Sequence, residues 1–338
     1  MPIRILDCTL RDGGYINNWR FNNNFTSEYN RLIEKNDIDY VEFGFVNKTK
    51  NYKGLIVGNE RNLDKSLINN YNLSNDKKVV MADYADINME LLKQKLNIEL
   101  IRIAFHKKDL NSAIKCCIEV KKLGYKVSVN AMAITNYSDD ELIMLFKYVN
   151  DNRLDILYLA DSYGSLNQKK INKYLHMFDS KLYPECSIGF HLHNNMNNAY
   201  SNYEFIVNNV SDIDREIIVD TTIFGMGRGA GNLQTELVLV NKYNNNIENI
   251  VEILSFIQVY IKPIYNHLEN KWGYELDYLL SGYLNMHPNY IGKMRDLNIS
   301  MVNRFFLIEK MIEKKIKYNY FDIKIVNSLV EEFKYILL

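Results

Sequence analysis

Eight short runs rich in β-branched and aromatic residues, each followed by a stretch with helical periodicity, limit what this chain can fold into. They are IRILDCTL (3–10), DYVEFGF (39–45), KVVMADY (78–84), LIRIAF (100–105), KVSVNAMA (126–133), LDILYLAD (154–161), SIGFHLH (187–193) and EIIVDTTI (216–223). Strands that are almost continuously apolar bury both faces, so the sheet they form is parallel and covered by helices. Eight βα units within about 240 residues match a closed (β/α)8 barrel, the TIM-barrel form. An open doubly wound sheet is the rival; its dinucleotide-binding version is disfavoured because the first βα turn lacks G-x-G-x-x-G. The intervening helices carry their own boundary signals. NSAIKCCIEVKKLG (111–124) closes on Gly124, a favoured residue just past a helix end, and SDDELIMLFKYVN (138–150) opens with a Ser138-x-x-Glu141 capping box.

Beyond residue 245 the period becomes helical throughout, in NIENIVEILSFIQVYIKPIYNHL and RFFLIEKMIEKKIKYNYFDIKIVNSLVEEFKYIL. The expected organisation is a barrel catalytic domain over 1–245 and a C-terminal helical extension over 246–338, a length that suits one barrel plus an appendage. The Asn-rich run NKYNNNIENI (241–250) reads as a loop.

Lys+Arg and Asp+Glu both number 41, so the formal net charge is zero and nothing draws the molecule as a whole toward nucleic acid or an anionic membrane. A small-molecule partner is expected. Cys8, Cys116, Cys117 and Cys186 show no C-x-x-C spacing, and the adjacent pair lies in a helical stretch where bridging is strained. No basic segment precedes an apolar core at the N-terminus, and no apolar run approaches the roughly 20 residues of a membrane span. A soluble, cytoplasmic enzyme is the expectation, and the C-terminal helices offer the surface for a homodimer.

In such a barrel, catalytic groups sit at the C-terminal ends of strands. Arg11 and Asp12 follow the first strand, His191 and His193 end the seventh, and FGMGRGAGN (224–232) follows the eighth. Strands one and eight of a closed barrel are neighbours, so these segments converge on one side of the mouth. The H-x-H spacing on a strand points both imidazoles to one face. Two histidines, one aspartate and an amide oxygen make a mixed N/O set suited to Mn2+ or Mg2+, with Zn2+ or Co2+ as alternatives. GMGRGAGN lacks the Gly-Lys-Ser/Thr ending of a P-loop; its glycines let the backbone approach closely. Glu42, Arg102, His106, Asn130, Asp161, Ser162 and Arg228 fit a substrate shell, Arg228 as the partner of an anionic group.

LDCTLRDGG, ADSYG, GFHLHNN and GMGRGAGN, in this order, resemble the motifs of the DRE-TIM metallolyase (HMG-CoA-lyase-like) superfamily, closest to its 4-hydroxy-2-oxovalerate aldolase branch, over roughly residues 3–240. The resemblance implies a divalent-metal enzyme that makes or breaks a carbon–carbon bond beside a carbonyl through a metal-bound enolate. By it, Asp12, His191 and His193 match the metal ligands, Asn232 matches a ligand found in some members, and Arg11 matches the arginine that steadies enolate charge. Enolate chemistry does need a Lewis acid and a fixed cation where charge develops.

One departure is informative. The aldolase branch places a histidine where this chain has Tyr15, and a phenol of ordinary pKa about 10 is a poor base at neutral pH. Ordinary hydroxy-oxovalerate cleavage is therefore expected to be weak. SGYLNMHPNYIGK (281–293) resembles a segment that closes over the site in aldolases, and its Ser-Gly followed by His287 is similar to the acyl-transferring synthases. Tyr15 and His287 are thus the catalytic candidates for proton transfer beside Arg11, with Tyr283 and Tyr290 as nearby alternatives. The implied function is a metal-dependent aldolase or lyase acting on a 2-oxo acid. An acyl-CoA-dependent Claisen synthase is the second reading, and a non-catalytic barrel serving as a partner subunit the third.

Overall fold

All eight runs form strands in the computed structural model, which describes residues 3–48, 63–210, 213, 215–243 and 247–337. They are β1 (Ile3–Asp7), β2 (Tyr40–Phe45), β3 (Lys78–Asp83), β4 (Leu100–Phe105), β5 (Lys126–Ala131), β6 (Ile156–Asp161), β7 (Ser187–Leu192) and β8 (Ile217–Thr221). They pair in parallel in sequence order, and β8 returns to β1 with Ile3 opposite Ile217 and Asp7 opposite Thr221. The sheet is a closed (β/α)8 barrel, and no edge remains to be protected.

Helices cover the barrel because each presents an apolar stripe at the helical period. Leu110–Lys122 buries Leu110, Ala113, Ile114, Cys117 and Val120 and packs on β4 and β5. The Leu, Ile and Val side chains each contribute about 1.5–3 kcal/mol relative to exposure. The chain leaves this helix through Gly124 at φ +93°, and the next helix starts with both halves of the Ser138/Glu141 capping box in place.

β1 ends at Asp7, three residues earlier than its apolar run suggests. The cause is the Asp7 carboxylate, which accepts from Thr9 N (2.8 Å), Tyr29 Oη (2.7 Å) and Thr235 Oγ1 (2.7 Å). The backbone then folds back, with the N–H groups of Arg11 and Asp12 both donating to Cys8 O, and this turn carries the two side chains into the barrel mouth. Inside the barrel, Leu6, Val79, Leu100, Ile156 and Ile218 fill an apolar layer, while Glu42, Arg102, Asn130 and Asp220 are also buried and polar.

The region after β8 is helical, as expected. The Asn-rich run is the exception to the sequence reading: residues 241–243 end the helix Thr235–Tyr243, and 247–250 begin the helix Ile247–Phe256. Ile253 and Phe256 bury against the barrel from this second helix, and that packing outweighs the weak helix preference of asparagine. Residues 244–246, with the expected boundary at 245, lie outside the described residues. A π-turn at Ile257–Ile261 precedes Pro263, which cannot donate a backbone hydrogen bond and displaces the helical ladder.

Residues from Tyr278 onward build a second core around Met286, Tyr290, Met294, Leu307, Ile308 and Val326. Beside it the buried Asp277 carboxylate is held by Arg295 (2.6 and 2.9 Å) and Arg304 (2.8 Å). Helix Leu276–Tyr283 docks on the barrel through Asn195, which donates to Tyr278 O (3.2 Å) and Ser281 Oγ (3.1 Å). Gly282 permits that approach, since a Cβ there would stand 2.9 Å from Asn195 Cβ. Among the described residues no helix is long and apolar enough to cross a membrane.

Candidate active site

A cavity opens at the C-terminal ends of the strands, lined by Arg11, Asp12, Tyr15, Arg102, Asn130, His191, His193, Arg228 and His287 among others. Segments far apart in sequence meet here because β1 lies between β2 and β8.

His191 Nδ1 lies 2.8 Å from Asp220 Oδ2 and donates to that carboxylate, which turns Nε2 toward the cluster. That atom lies 3.1 Å from His193 Nε2 and 3.9 Å from Asp12 Oδ2, and one donor atom from each of the three residues falls within 4.8 Å of the others. Asn232 Nδ2 donates to Asp12 Oδ2 (2.7 Å), whereas Asn232 Oδ1 is buried with no hydrogen-bond partner. Gly227 makes this contact feasible: a Cβ there would stand 2.3 Å from Asn232 Nδ2. Gly231, at φ +78°, turns the loop so that Asn232 faces inward.

The charges behind the cluster are arranged as a relay of ion pairs. Glu42 is fully buried and accepts from Arg11 Nε (2.5 Å) and faces Arg102 Nη1 (3.1 Å). Arg11 Nη1 reaches Asp12 Oδ1 (3.0 Å), and Arg102 pairs with Asp220 while stacking 4.1 Å above the Tyr158 ring. Tyr158 Oη in turn donates to Asp220 Oδ1 (2.9 Å). Two guanidiniums therefore face three carboxylates, Asp12, Glu42 and Asp220, leaving one negative charge in excess. Burial pushes the Asp12 carboxyl upward, but Arg11 foremost, with Arg228, outweighs it and holds the group below the ordinary carboxylate range. Burial also pulls His193 down to a pKa of about 3, so its imidazole is neutral.

An excess negative charge, two imidazoles able to present lone pairs and an orphaned amide oxygen fit a divalent cation. Asp12, His191, His193 and Asn232 are the residues able to hold it. Cys8, His191 and Asp220 form a second close group, but burial drives the Cys8 thiol well above its ordinary pKa and Arg102 already neutralises Asp220. This deeper trio supports the first.

The model of the HMGL-like family matches residues 2–260. The chain belongs to the HMGL-like family. A 4-hydroxy-2-oxovalerate aldolase from Bacillus cereus is 25% identical over 245 residues, covering 70% of this chain and 69% of its own length. The N-terminal domain of a candidate aldolase from Bacteroides vulgatus superposes with a TM-score of 0.72 at 28% identity, covering 90% of this chain and 99% of that one. The Bacillus subtilis HMG-CoA lyase shares the fold, with a TM-score of 0.60 at 13% identity over 78% of this chain and 95% of its own.

Within this HMGL-like barrel the expected substrate shell divides. Asn130 borders the cavity; with its carboxamide oxygen toward Arg102 it accepts from Arg102 Nη2 (3.1 Å) and donates to Ser128 Oγ (2.5 Å). His106 and Ser162 also line it. Glu42 does not; it lies beneath Arg11 and fixes it. Asp161 is a correction to the sequence reading. Both its oxygens accept backbone N–H groups, from Ser165 (2.9 Å) and Leu166 (3.1 Å), so it anchors the loop after β6, and burial raises its pKa to about 6.

The C-terminal candidates also separate. Tyr283 is 73% exposed, away from the cavity, and Tyr290 is buried with Oη donating to Tyr320 O (2.9 Å). His287 faces the cavity. Its Nδ1 accepts from Asn289 N (3.2 Å), so the ring proton sits on Nε2, and burial next to Arg228 lowers its pKa to about 4. At neutral pH His287 is a neutral hydrogen-bond donor. Tyr15 packs edge-on against Trp19 and Phe45, with the Arg228 guanidinium 4.0 Å above its ring.

Asp220, Tyr158 and Asn319 had no place in the sequence reading. Asp220 pairs in register with His191, a relation that only strand alignment reveals.

Proposed function

We propose that this chain, a carbon–carbon lyase of the aldolase kind by family, breaks or forms the bond between carbons 3 and 4 of a 4-hydroxy-2-oxo acid through a pyruvate enolate. The observation that carries this reading is the convergence of Asp12, His191, His193 and the unpaired Asn232 Oδ1 beside an arginine clamped by Glu42. A divalent cation, Mn2+ or Mg2+ by the donor set with Zn2+ or Co2+ as alternatives, would be held by these residues and would supply a Lewis acid for a 2-oxo acid.

The remaining work falls to the chain. Arg11, held on two sides by Glu42 and Asp12, points a fixed positive charge at the keto oxygen as it gains electron density. In cleavage the C3–C4 electron pair becomes the enolate, C4 departs as an aldehyde, and the 4-hydroxyl proton passes to solvent. Uptake of one proton at C3 then yields pyruvate. His287 donates from Nε2 to the 4-oxygen, the part a neutral imidazole can play as an electrophile. Glu42, Arg102 and Asn130 hold this wall rigid.

Incubation with pyruvate in D2O tests the reading. Metal-dependent loss of the methyl proton signal is the expected result, accompanied by aldehyde release from a 4-hydroxy-2-oxo acid and only weak cleavage of 4-hydroxy-2-oxovalerate itself. No exchange with Mn2+ or Mg2+ present would sink the reading. For His287, replacement by Ala is expected to lower aldehyde release about 10²-fold, the scale of one lost oxyanion donor. His287→Gln keeps an amide donor and should retain a substantial part. Equal loss in both variants would mean that His287 takes the proton itself.

A further inference from the structure

Three guanidiniums border the cavity, and they are not alike. Arg11 and Arg102 are buried, and each is paired with two carboxylates. Arg228 is exposed, and among the described residues none forms an ion pair with it. It comes from the loop after β8 and lies flat against Tyr15, 4.0 Å from ring centre to guanidinium carbon. Tyr15 is braced in turn by edge contacts with Trp19 (4.7 Å) and Phe45 (6.2 Å). An aromatic face attracts a cation without neutralising it, so the stack sets the direction of Arg228 and leaves its planar fork of donors available.

The position matters as much as the charge. Arg11 and the Asp12, His191, His193 group occupy the buried end of the cavity, where the 2-oxo acid unit belongs. Arg228 stands at the solvent side with His287, whose Nε2–H is a second donor. The lining also includes an apolar wall of Phe45, Met81 and Ala104, able to contact a short carbon chain, with Phe45 lying between Tyr15 (6.2 Å) and Arg11 (6.0 Å).

We propose that the true substrate carries a second anionic group, a carboxylate or a phosphate, on its aldehyde-derived half, and that Arg228 on its Tyr15 platform selects it. The proposal rests on the aldolase reading above and specifies the substrate class for that site. It also gives Tyr15 a purpose that a histidine would serve less well, since a phenol has no cationic form to place a positive charge beside Arg228.

Condensation of pyruvate with matched aldehydes tests this: succinic semialdehyde against butanal, and glyceraldehyde 3-phosphate against glyceraldehyde. In the wild type the anionic member of one pair is expected to be favoured at least tenfold in kcat/KM, and which pair shows it identifies carboxylate or phosphate. Arg228→Gln should reduce that ratio by roughly tenfold or more, and Arg228→Lys should keep part of it. A wild-type ratio near one in both pairs, or a ratio that survives Arg228→Gln, overturns the proposal. So does an equal loss for charged and neutral aldehydes with a raised KM for pyruvate, which places Arg228 on the pyruvate carboxylate instead. If no aldehyde condenses and pyruvate does not exchange, the aldolase reading has failed; calorimetry with 2-oxoglutarate against 2-oxopentanoate then decides the anion question. Preference for the dicarboxylate that disappears in Arg228→Gln supports the site, and equal binding of the two acids rules it out.

Discussion

Replacing His191 and His193 together by alanine is expected to abolish both metal retention and turnover, with the barrel still folded. The two imidazoles supply two of the four atoms suited to a cation, and Asp12 with one amide oxygen cannot hold it alone. Folding should survive because Asp220, which loses its contact with His191, keeps Arg102 and Tyr158 Oη. Metal content after dialysis, measured beside circular dichroism, checks this. Stoichiometric metal in the double variant would show that the cation binds elsewhere.

Arg11→Lys is expected to lower kcat by about 10²-fold or more, because an ammonium cannot hold Glu42 and Asp12 while also facing the substrate. Arg11 touches Asp12, so metal affinity should weaken as well, but far less than the rate. Titrating metal into the variant separates the two effects. Activity that returns to the wild-type level at saturating metal would make Arg11 a positioning residue for Asp12 and remove it from the chemistry.

The parts of this site that could be read from sequence are those encoded by short local patterns. His191 and His193 share a face because a strand repeats every two residues, and Arg11 with Asp12 lies in the turn that closes the first strand. The parts that could not be read depend on register or on helix phase. Asp220 acts on His191 only because β7 and β8 align those two residues. Asp161 looks like a site carboxylate at a strand end, yet the loop after β6 curls back and claims both its oxygens. His287, Tyr283 and Tyr290 lie within eight residues of each other, and only the docking of Ser281 and Gly282 on Asn195 determines which of the three faces the cavity. The Asn-rich run misleads for a related reason, since its helical character comes from Ile253 and Phe256 further along.

The helices that follow the barrel add His287, Pro288 and Asn319 to the cavity wall, and Asn319 O accepts from Tyr163 Oη (2.7 Å) across the seam. The atoms proposed to handle bond cleavage all lie at or before residue 232 except for His287. The cavity wall is therefore shared between two stretches of chain, so a substitution in the tail can alter which molecules fit while leaving the proposed metal-holding residues untouched.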